Sequence, residues 1–342
     1  MDIKRSWLPE TDGGQMVALI GPIPPPFGGV SVFMTRFSDL LHTYGSHVEM
    51  MEVDGSLLSR IRHALRILVG RPARFYLNVP DYLLMAALLI RGRAPHSIYV
   101  DHGERLARSS VTGVRGRIFS KFLQACRQVV FVGGASRELY ESVGLPLPAD
   151  TVVRSAYIPP PLGRAEIMYD LLPADLKHFL STHSPIIVAN AYKVLFHNGV
   201  DLYGLDLCVD LHIRLKQRYP NAGFVFAIAD RDGSEEQLRA QQDKLAREGA
   251  LDSFYVLTSQ AELWPIFTRA DAMVRPTSAD GYGFSVDEAI DCGCVAVASD
   301  VCARHPAAIL FRSRDANALF GAVIKALRQG RAAHRHEIAG VS

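Results

Sequence analysis

Short apolar runs alternate along the chain with stretches whose apolar positions recur every three to four residues. MVALI (16–20), HVEMMEV (47–53), RFYLNV (74–79), SIYVDH (97–102) and QVVFVGG (128–134) read as strands. After the first comes the loop GPIPPPFGG (21–29), and then Val30 to Tyr44 places Val30, Phe33, Met34, Phe37, Leu40 and Leu41 on one helical face, with Gly45 as the stop. A second series starts at PIIVAN (185–190) and continues with FVFAIA (within 223–229), FYVL (254–257), AMVRP (272–276) and CVAVAS (294–299). Helical patterns over Asp201–Gln217, Ser234–Glu248, Glu262–Arg269 and Asp315–Arg328 separate these runs or follow them. Such alternation predicts parallel sheets covered by helices on both faces.

Between the two series, SAYIPPPLGR (155–164) is rich in proline and has no helical period, so it reads as a linker. The predicted fold class is α/β, with two tandem Rossmann-like doubly wound domains at 1–160 and 161–342. Ligands of such sheets lie at the carboxyl ends of the strands, and with two sheets the expected site is an interdomain cleft.

Composition adds bounds. The chain has 342 residues, and nearly half are apolar (49%), enough for two cores. Its longest apolar run, Tyr82 to Ile90, is far too short to cross a bilayer, and the start MDIKRSWLPETDGG has no signal-peptide core. A cytoplasmic protein is expected. The five cysteines have neither zinc nor redox spacing and read as reduced thiols. The tail histidines His334 and His336 lack convergent partners, so no metal site is expected.

The stretch DGYGFSVDEAIDCGCVAVASD (280–300) carries the candidate chemistry. Asp280 and Glu288 flank a glycine turn at the carboxyl end of a predicted strand. A helix expected from about Gly283 would aim its positive end at an anion, with Gly281 and Gly283 allowing close approach. Glu288 suits ribose hydroxyls, and Asp280 suits a sugar hydroxyl.

This stretch, together with LTSQAELWPIFTRADAMVRPTSADGYGF upstream of it, GPIPPPFGGVSVFMTRFSDLLHTYG (21–45) and DHGE (101–104), resembles the family 4 retaining glycosyltransferases (group 1 type, GT-B fold). The resemblance implies sugar transfer from a nucleotide-diphosphate sugar with retained configuration, needing no metal or further cofactor. It implies that Glu288 binds the ribose, Asp280 contacts the sugar, and the backbone of Gly281, Tyr282, Gly283 and Phe284 holds sugar and phosphate oxygens. By the same resemblance Gly28 and Gly29 lie near the diphosphate, His102 lies by the transferred sugar, and the C-terminal helix can pack back on the first domain. Two departures stand out. The family's first acid is usually Glu, and here it is Asp280. The family's phosphate-neutralising Arg and Lys fall near Ala191 or Tyr192 and at Asn198, leaving Lys193 or Arg231 as substitutes. A non-catalytic GT-B partner subunit and a nucleotide-sugar epimerase are the alternative readings.

Charge is uneven: residues 1–165 hold 19 Lys/Arg and 13 Asp/Glu, the remainder 18 and 22. Residues 56–74 interleave Arg60, Arg62, His63, Arg66, Arg71 and Arg74 with Leu57, Leu58, Ile61, Leu65, Leu68 and Val69. This segment is either a surface helix packing its leucines on the sheet or a docking element for anionic lipid on the inner face of a membrane, where a glycan or lipid-linked acceptor would be met. Arg91, Arg93, Arg105, Arg108, Arg115 and Arg117 add to the same charge, and no nucleic-acid-binding motif accompanies them.

Overall fold

The computed structural model describes Trp7 and residues 16–25, 27–71, 74–103, 111–258 and 262–339, with side chains of the last helix described to residue 330. Glu104, Arg105, Arg108 and the side chains of His334 and His336 lie outside the described residues. The chain divides into two compact units, Met1–Ile158 and Pro159–Ser342.

The first unit holds strands β1 (Met16–Gly21), β2 (His47–Glu52), β3 (Arg74–Leu77), β4 (Ser97–Asp101), β5 (Gln128–Phe131) and β6 (Thr151–Val153). All pair in parallel, in the order β2-β1-β3-β4-β5-β6. Its helices are α1 (Gly29–Thr43), α2 (Leu57–Val69), α3 (Tyr82–Ile90), α4 (Gly113–Ala125) and α5 (Gly134–Ser142). Side chains alternate across each strand, so one sheet face gives Ala18, Ile20, Phe75, Leu77 and Tyr99 to a core shared with Ile67, Leu84, Leu88, Phe119 and Phe122. On α1, Phe37 packs edge-on against Tyr76 of β3, and Trp7 packs edge-on against Phe33.

Exposure on α2 narrows the reading in which its leucines pack on the sheet to Leu68, which is half-buried against the core. Leu58 and Val69 are 80% and 81% exposed, and Leu57, Ile61 and Leu65 are exposed with them. The sheet side is taken by His63, Ala64 and Ile67. The basic reading of this helix also narrows, because Arg60 pairs with buried Asp81, Arg66 pairs with Glu49, and buried His63 meets the Glu52 carbonyl.

In the second unit α6 (Ala165–Asp170) and α7 (Ala174–Thr182) precede the sheet of β7 (Ile186–Ala191), β10 (Gly223–Ile228), β11 (Phe254–Leu257), β12 (Ala272–Arg275), β13 (Val295–Ser299) and β14 (Ile309–Phe311). The order is β11-β10-β7-β12-β13-β14, all parallel. In order of appearance within this sheet that is 3-2-1-4-5-6, the doubly wound arrangement. The hairpin β8 (Phe196–His197) and β9 (Val200–Asp201) follows β7. The remaining helices are α8 (Leu205–Arg218), α9 (Glu235–Arg247), α10 (Trp264–Phe267), α11 (Ser285–Asp291) and α12 (Ala316–Ala339). One sheet face packs Ile187, Phe224, Phe226 and Val274 against α8, α9 and α12. The other packs Val188, Val225 and Met273 against Leu176, Phe179, Trp264 and Val286.

Several element ends differ from expectation for local reasons. The helix expected from Asp201 begins at Leu205, because the Asp201 carboxylate accepts the backbone N–H groups of Tyr203, Gly204 and Leu205 and so caps it. The helix expected from Gly283 begins at Ser285, since Gly283 has φ +80° and cannot sit in a right-handed turn. The last helix runs to Ala339 rather than ending near Arg328. Cys292 closes α11 and Cys294 precedes β13; all five cysteines are unbridged.

Candidate functional site

In the second sheet, β7 and β12 lie side by side at the place where strand order reverses, so the loops leaving their carboxyl ends diverge there. Arg275 is the last residue of β12. Its side chain is only 10% exposed, and an arginine cannot remain in such a place without partners. The loop 276–284 supplies one. Asp280 Oδ2 accepts Arg275 Nε at 2.9 Å and Arg304 Nη1 at 2.9 Å, while Oδ1 accepts Arg275 Nη2 at 3.4 Å. Thr277 Oγ1 donates to the same Oδ2 at 3.3 Å. Arg275 Nη1 reaches Asn190 Oδ1 on β7 at 3.5 Å, bridging the two strands, and its guanidinium lies 5.4 Å from the centre of the Tyr203 ring.

Arg304 locks the loop from the other side. Its side chain is fully enclosed, and it donates to Ser299 O, Asp280 Oδ2, Tyr282 O, Thr277 Oγ1 and, at 3.5 Å, Ser299 Oγ. Burial alone would raise the Asp280 carboxyl, but the charges and hydrogen bonds of Arg275 and Arg304 outweigh it and hold it down at about 2. Asp280 is thus ionised, with two guanidinium groups sharing one carboxylate, mainly through Oδ2.

The same cluster explains Gly283. A Cβ there would come within 2.6 Å of Arg304 Nη1 and 2.9 Å of Asp280 Oδ2, so this glycine makes room for the arginine. At Gly281 a Cβ would meet nothing within 4 Å. Tyr282 donates its hydroxyl to Asp287 Oδ1 at 3.3 Å. Asp287 is 5% exposed, its Oδ2 has no partner, and burial raises its carboxyl to about 6. Glu288, the fourth residue of α11, is half-buried and follows this loop directly. With seven residues, α11 is too short to supply much dipole, so charge here comes from side chains.

The other expected cation positions lie elsewhere in this unit. Lys193, after β7, pairs with Asp230 at 3.2 Å. Arg231 is exposed in the loop after β10. Asn198 is exposed, and it forms with Gly199 the two-residue turn of the β8–β9 hairpin, with φ of 51° and 78°. Two positive φ values define the tight turn for which Asn-Gly is the preferred pair, so Asn198 has a local backbone reason to be there.

In the first unit, strand order reverses between β1 and β3, and a second group of expected residues gathers at those carboxyl ends. His102 follows β4, and its Nε2 lies 2.9 Å from Asn78 Oδ1, just beyond β3. The Asn78 amide nitrogen faces the carbonyls of Ile20 and Tyr76, which leaves Oδ1 as acceptor and puts the His102 proton on Nε2. Nδ1 is then an unprotonated acceptor with no partner, and burial pushes the imidazole down to about 3. The ring packs edge-on against Phe33 of α1 at 5.1 Å. Gly28 caps α1, with its N–H donated to Ser31 Oγ at 2.9 Å, and Gly29 is the first helical residue. Sequence reasoning placed neither Asn78, Arg275 nor Arg304 in a site.

No group of three or more potential metal ligands is found among the described residues. Residues 193–329 match the family profile described as Glycosyl transferases group 1. No curated protein matches the chain. Among solved structures, a UDP-forming trehalose-phosphate synthase from Burkholderia xenovorans is similar at 13% identity and TM-score 0.65, covering 95% of each chain. HepE of Anabaena in complex with UDP and glucose is similar at 14% identity and TM-score 0.61, covering 90% of this chain and 88% of that one. The sucrose-phosphate synthase of Thermosynechococcus elongatus is similar at 16% identity and TM-score 0.57, covering 93% and 91%. The chain therefore has a glycosyltransferase-like fold of the GT-B type, and its second unit carries the group 1 glycosyltransferase pattern over residues 193–329.

Proposed function

We propose that the protein is a retaining, metal-independent glycosyltransferase of family 4, transferring a hexosyl group from a nucleotide-diphosphate sugar to a glycan or lipid-linked acceptor. One observation carries this reading: the group 1 pattern includes a loop and helix that put Gly281–Glu288 at the carboxyl end of β12, beside the strand-order reversal. That is where doubly wound sheets bind ligands. Structures of the same fold hold UDP and glucose in HepE of Anabaena, which supports a nucleotide-sugar donor here.

In this reading Glu288 accepts hydrogen bonds from the ribose hydroxyls, and the backbone of Gly281, Tyr282, Gly283 and Phe284 lines the sugar and phosphates. His102 stays neutral through ordinary pH, so it offers its Nδ1 lone pair to a sugar hydroxyl rather than a positive charge. Gly28 and Gly29, at the start of α1, are further proposed donor contacts of the first unit. The bond between the anomeric carbon and the diphosphate oxygen breaks as the acceptor oxygen bonds to that carbon on the same face. Attack on that face keeps the configuration, and the acceptor's proton passes to the departing phosphate oxygen, which balances the charge.

The exposed face of α2, with Leu57, Leu58, Leu65 and Val69 beside exposed Arg62, fits a peripheral contact with an anionic bilayer. No described helix is long and apolar enough to cross a membrane. Sedimentation with phosphatidylglycerol vesicles tests this contact. Binding that persists in Leu58→Glu/Val69→Glu argues against it.

The experiment for the activity is nucleotide release from UDP- and GDP-sugars with and without glycan acceptors, alongside titration of nucleotide into Glu288→Ala. A transferase releases nucleotide on acceptor addition, and the variant loses roughly 100-fold in nucleotide affinity, the weight of a charge-assisted pair of hydrogen bonds. Unchanged affinity in Glu288→Ala would sink the assigned site.

A further inference from the structure

Resting on that reading, the arginine cluster answers a question the sequence leaves open: what neutralises the departing diphosphate. Arg275, Asp280 and Arg304 together hold two positive charges and one negative. The excess charge sits at the β7–β12 reversal with almost no water access, since the three side chains are 10%, 11% and 0% exposed. An uncompensated charge in such a place is costly unless an anion joins it.

Hydrogen-bond capacity shows which arginine is available. Arg304 has five N–H donors, and the five contacts described above, three to side-chain oxygens and two to backbone carbonyls, use them all. Arg275 uses Nε and one hydrogen on each terminal nitrogen, through contacts at 2.9, 3.5 and 3.4 Å. A second hydrogen on each terminal nitrogen remains to be donated, and phosphate oxygens are acceptors suited to a guanidinium. Lys193 is part-exposed and paired with Asp230, whereas Asn198 carries no charge.

We propose that Arg275 binds the diphosphate of the donor, and that Asp280 and Arg304 are positioning residues that hold its guanidinium at the carboxyl end of β12. Asp280 acts through the arginines rather than on the sugar. The excess positive charge is balanced when a nucleoside diphosphate is bound, and it takes up the negative charge that grows on the leaving oxygen as the glycosidic bond breaks.

Calorimetric titration of UDP, GDP, uridine, guanosine and inorganic pyrophosphate into wild type, Arg275→Gln, Arg275→Lys and Lys193→Ala tests this. Removing Arg275 leaves Asp280 paired with Arg304, so Arg275→Gln is expected to fold, and Arg275→Lys serves if it does not. Pyrophosphate binding is expected to be lost in Arg275→Gln, and the affinity for the preferred nucleotide to fall roughly 100-fold. Affinity for the matching nucleoside is expected to stay within about threefold, a separation that a merely structural role would not produce. Arg275→Lys is expected to recover part of the loss, as a point charge without the planar fork. Pyrophosphate binding through Arg275 without any nucleotide binding would uphold the anion site and remove the glycosyltransferase reading. Equal pyrophosphate affinity in wild type and Arg275→Gln, loss confined to Lys193→Ala, or no pyrophosphate binding by wild type would each overturn the assignment.

Discussion

Replacing Asp280 by Asn removes one negative charge from two enclosed guanidinium groups while nearly preserving shape. The native state holds this carboxyl at about 2 instead of near 3.8, a preference for the ionised form of roughly 2 kcal/mol. Asparagine also forfeits the charge-assisted bonds to Arg275 and Arg304 and leaves both arginines buried without a counter-charge, for a total cost of about 3–5 kcal/mol. The two tryptophans allow this loss to be read in one unit. Trp264 is buried in the second unit and Trp7 in the first, so in a Trp7→Phe background the fluorescence of Trp264 follows the second unit alone. Urea unfolding at pH 7 should show the Asp280→Asn variant less stable by that amount. The sign of the pH dependence is fixed by a depressed folded-state value. The advantage of wild type is complete above the unfolded carboxyl value near 3.8 and shrinks as pH falls from there toward 2. A difference below about 0.5 kcal/mol at pH 7, the ordinary range for a surface substitution, would refute the idea that one carboxylate holds both arginines.

Three further outcomes concern the second unit. Gly283→Ala places a Cβ within 2.6 Å of Arg304 Nη1 at φ +80°, and should cost about 2–3 kcal/mol in urea unfolding. Asp287→Asn should stabilise the second unit at pH 7 by up to about 3 kcal/mol, because the buried carboxyl is raised to about 6 and its ionised form is disfavoured. That gain is absent below about pH 4 and grows between pH 4 and 6, which unfolding curves at several pH values would show. Asn198→Ala, at a turn position with φ 51°, should lose about 1 kcal/mol of stability by strain in the left-handed region.

The parallel strands were legible because both of their faces are covered, so they appear as nearly unbroken apolar runs such as IIVAN and FVFAI. Two of the four edge strands were not. Thr151–Val153 and Ile309–Phe311 have three residues each, too few to show a period. The β8–β9 hairpin was not legible either, because its strands have two residues each, although Asn198-Gly199 is a strong turn signal. Asp280 and Glu288 could be singled out by their spacing around a glycine turn. Their partners could not, because Arg304 lies 24 residues beyond Asp280 and is brought back only by the β13 crossover. One clue was present in the sequence: Arg275 ends the buried run AMVR, where a charge demands a partner. The shortness of α11 was hidden for the opposite reason, since Gly283 looked like a helix start and instead adopts the conformation that excludes one.

The most direct test of the central claim is a crystal structure with bound UDP or GDP. The ribose hydroxyls are expected within hydrogen-bond distance of Glu288 and the phosphates on Arg275, at the carboxyl end of β12. A nucleotide bound elsewhere, with Glu288 and Arg275 untouched, would contradict it.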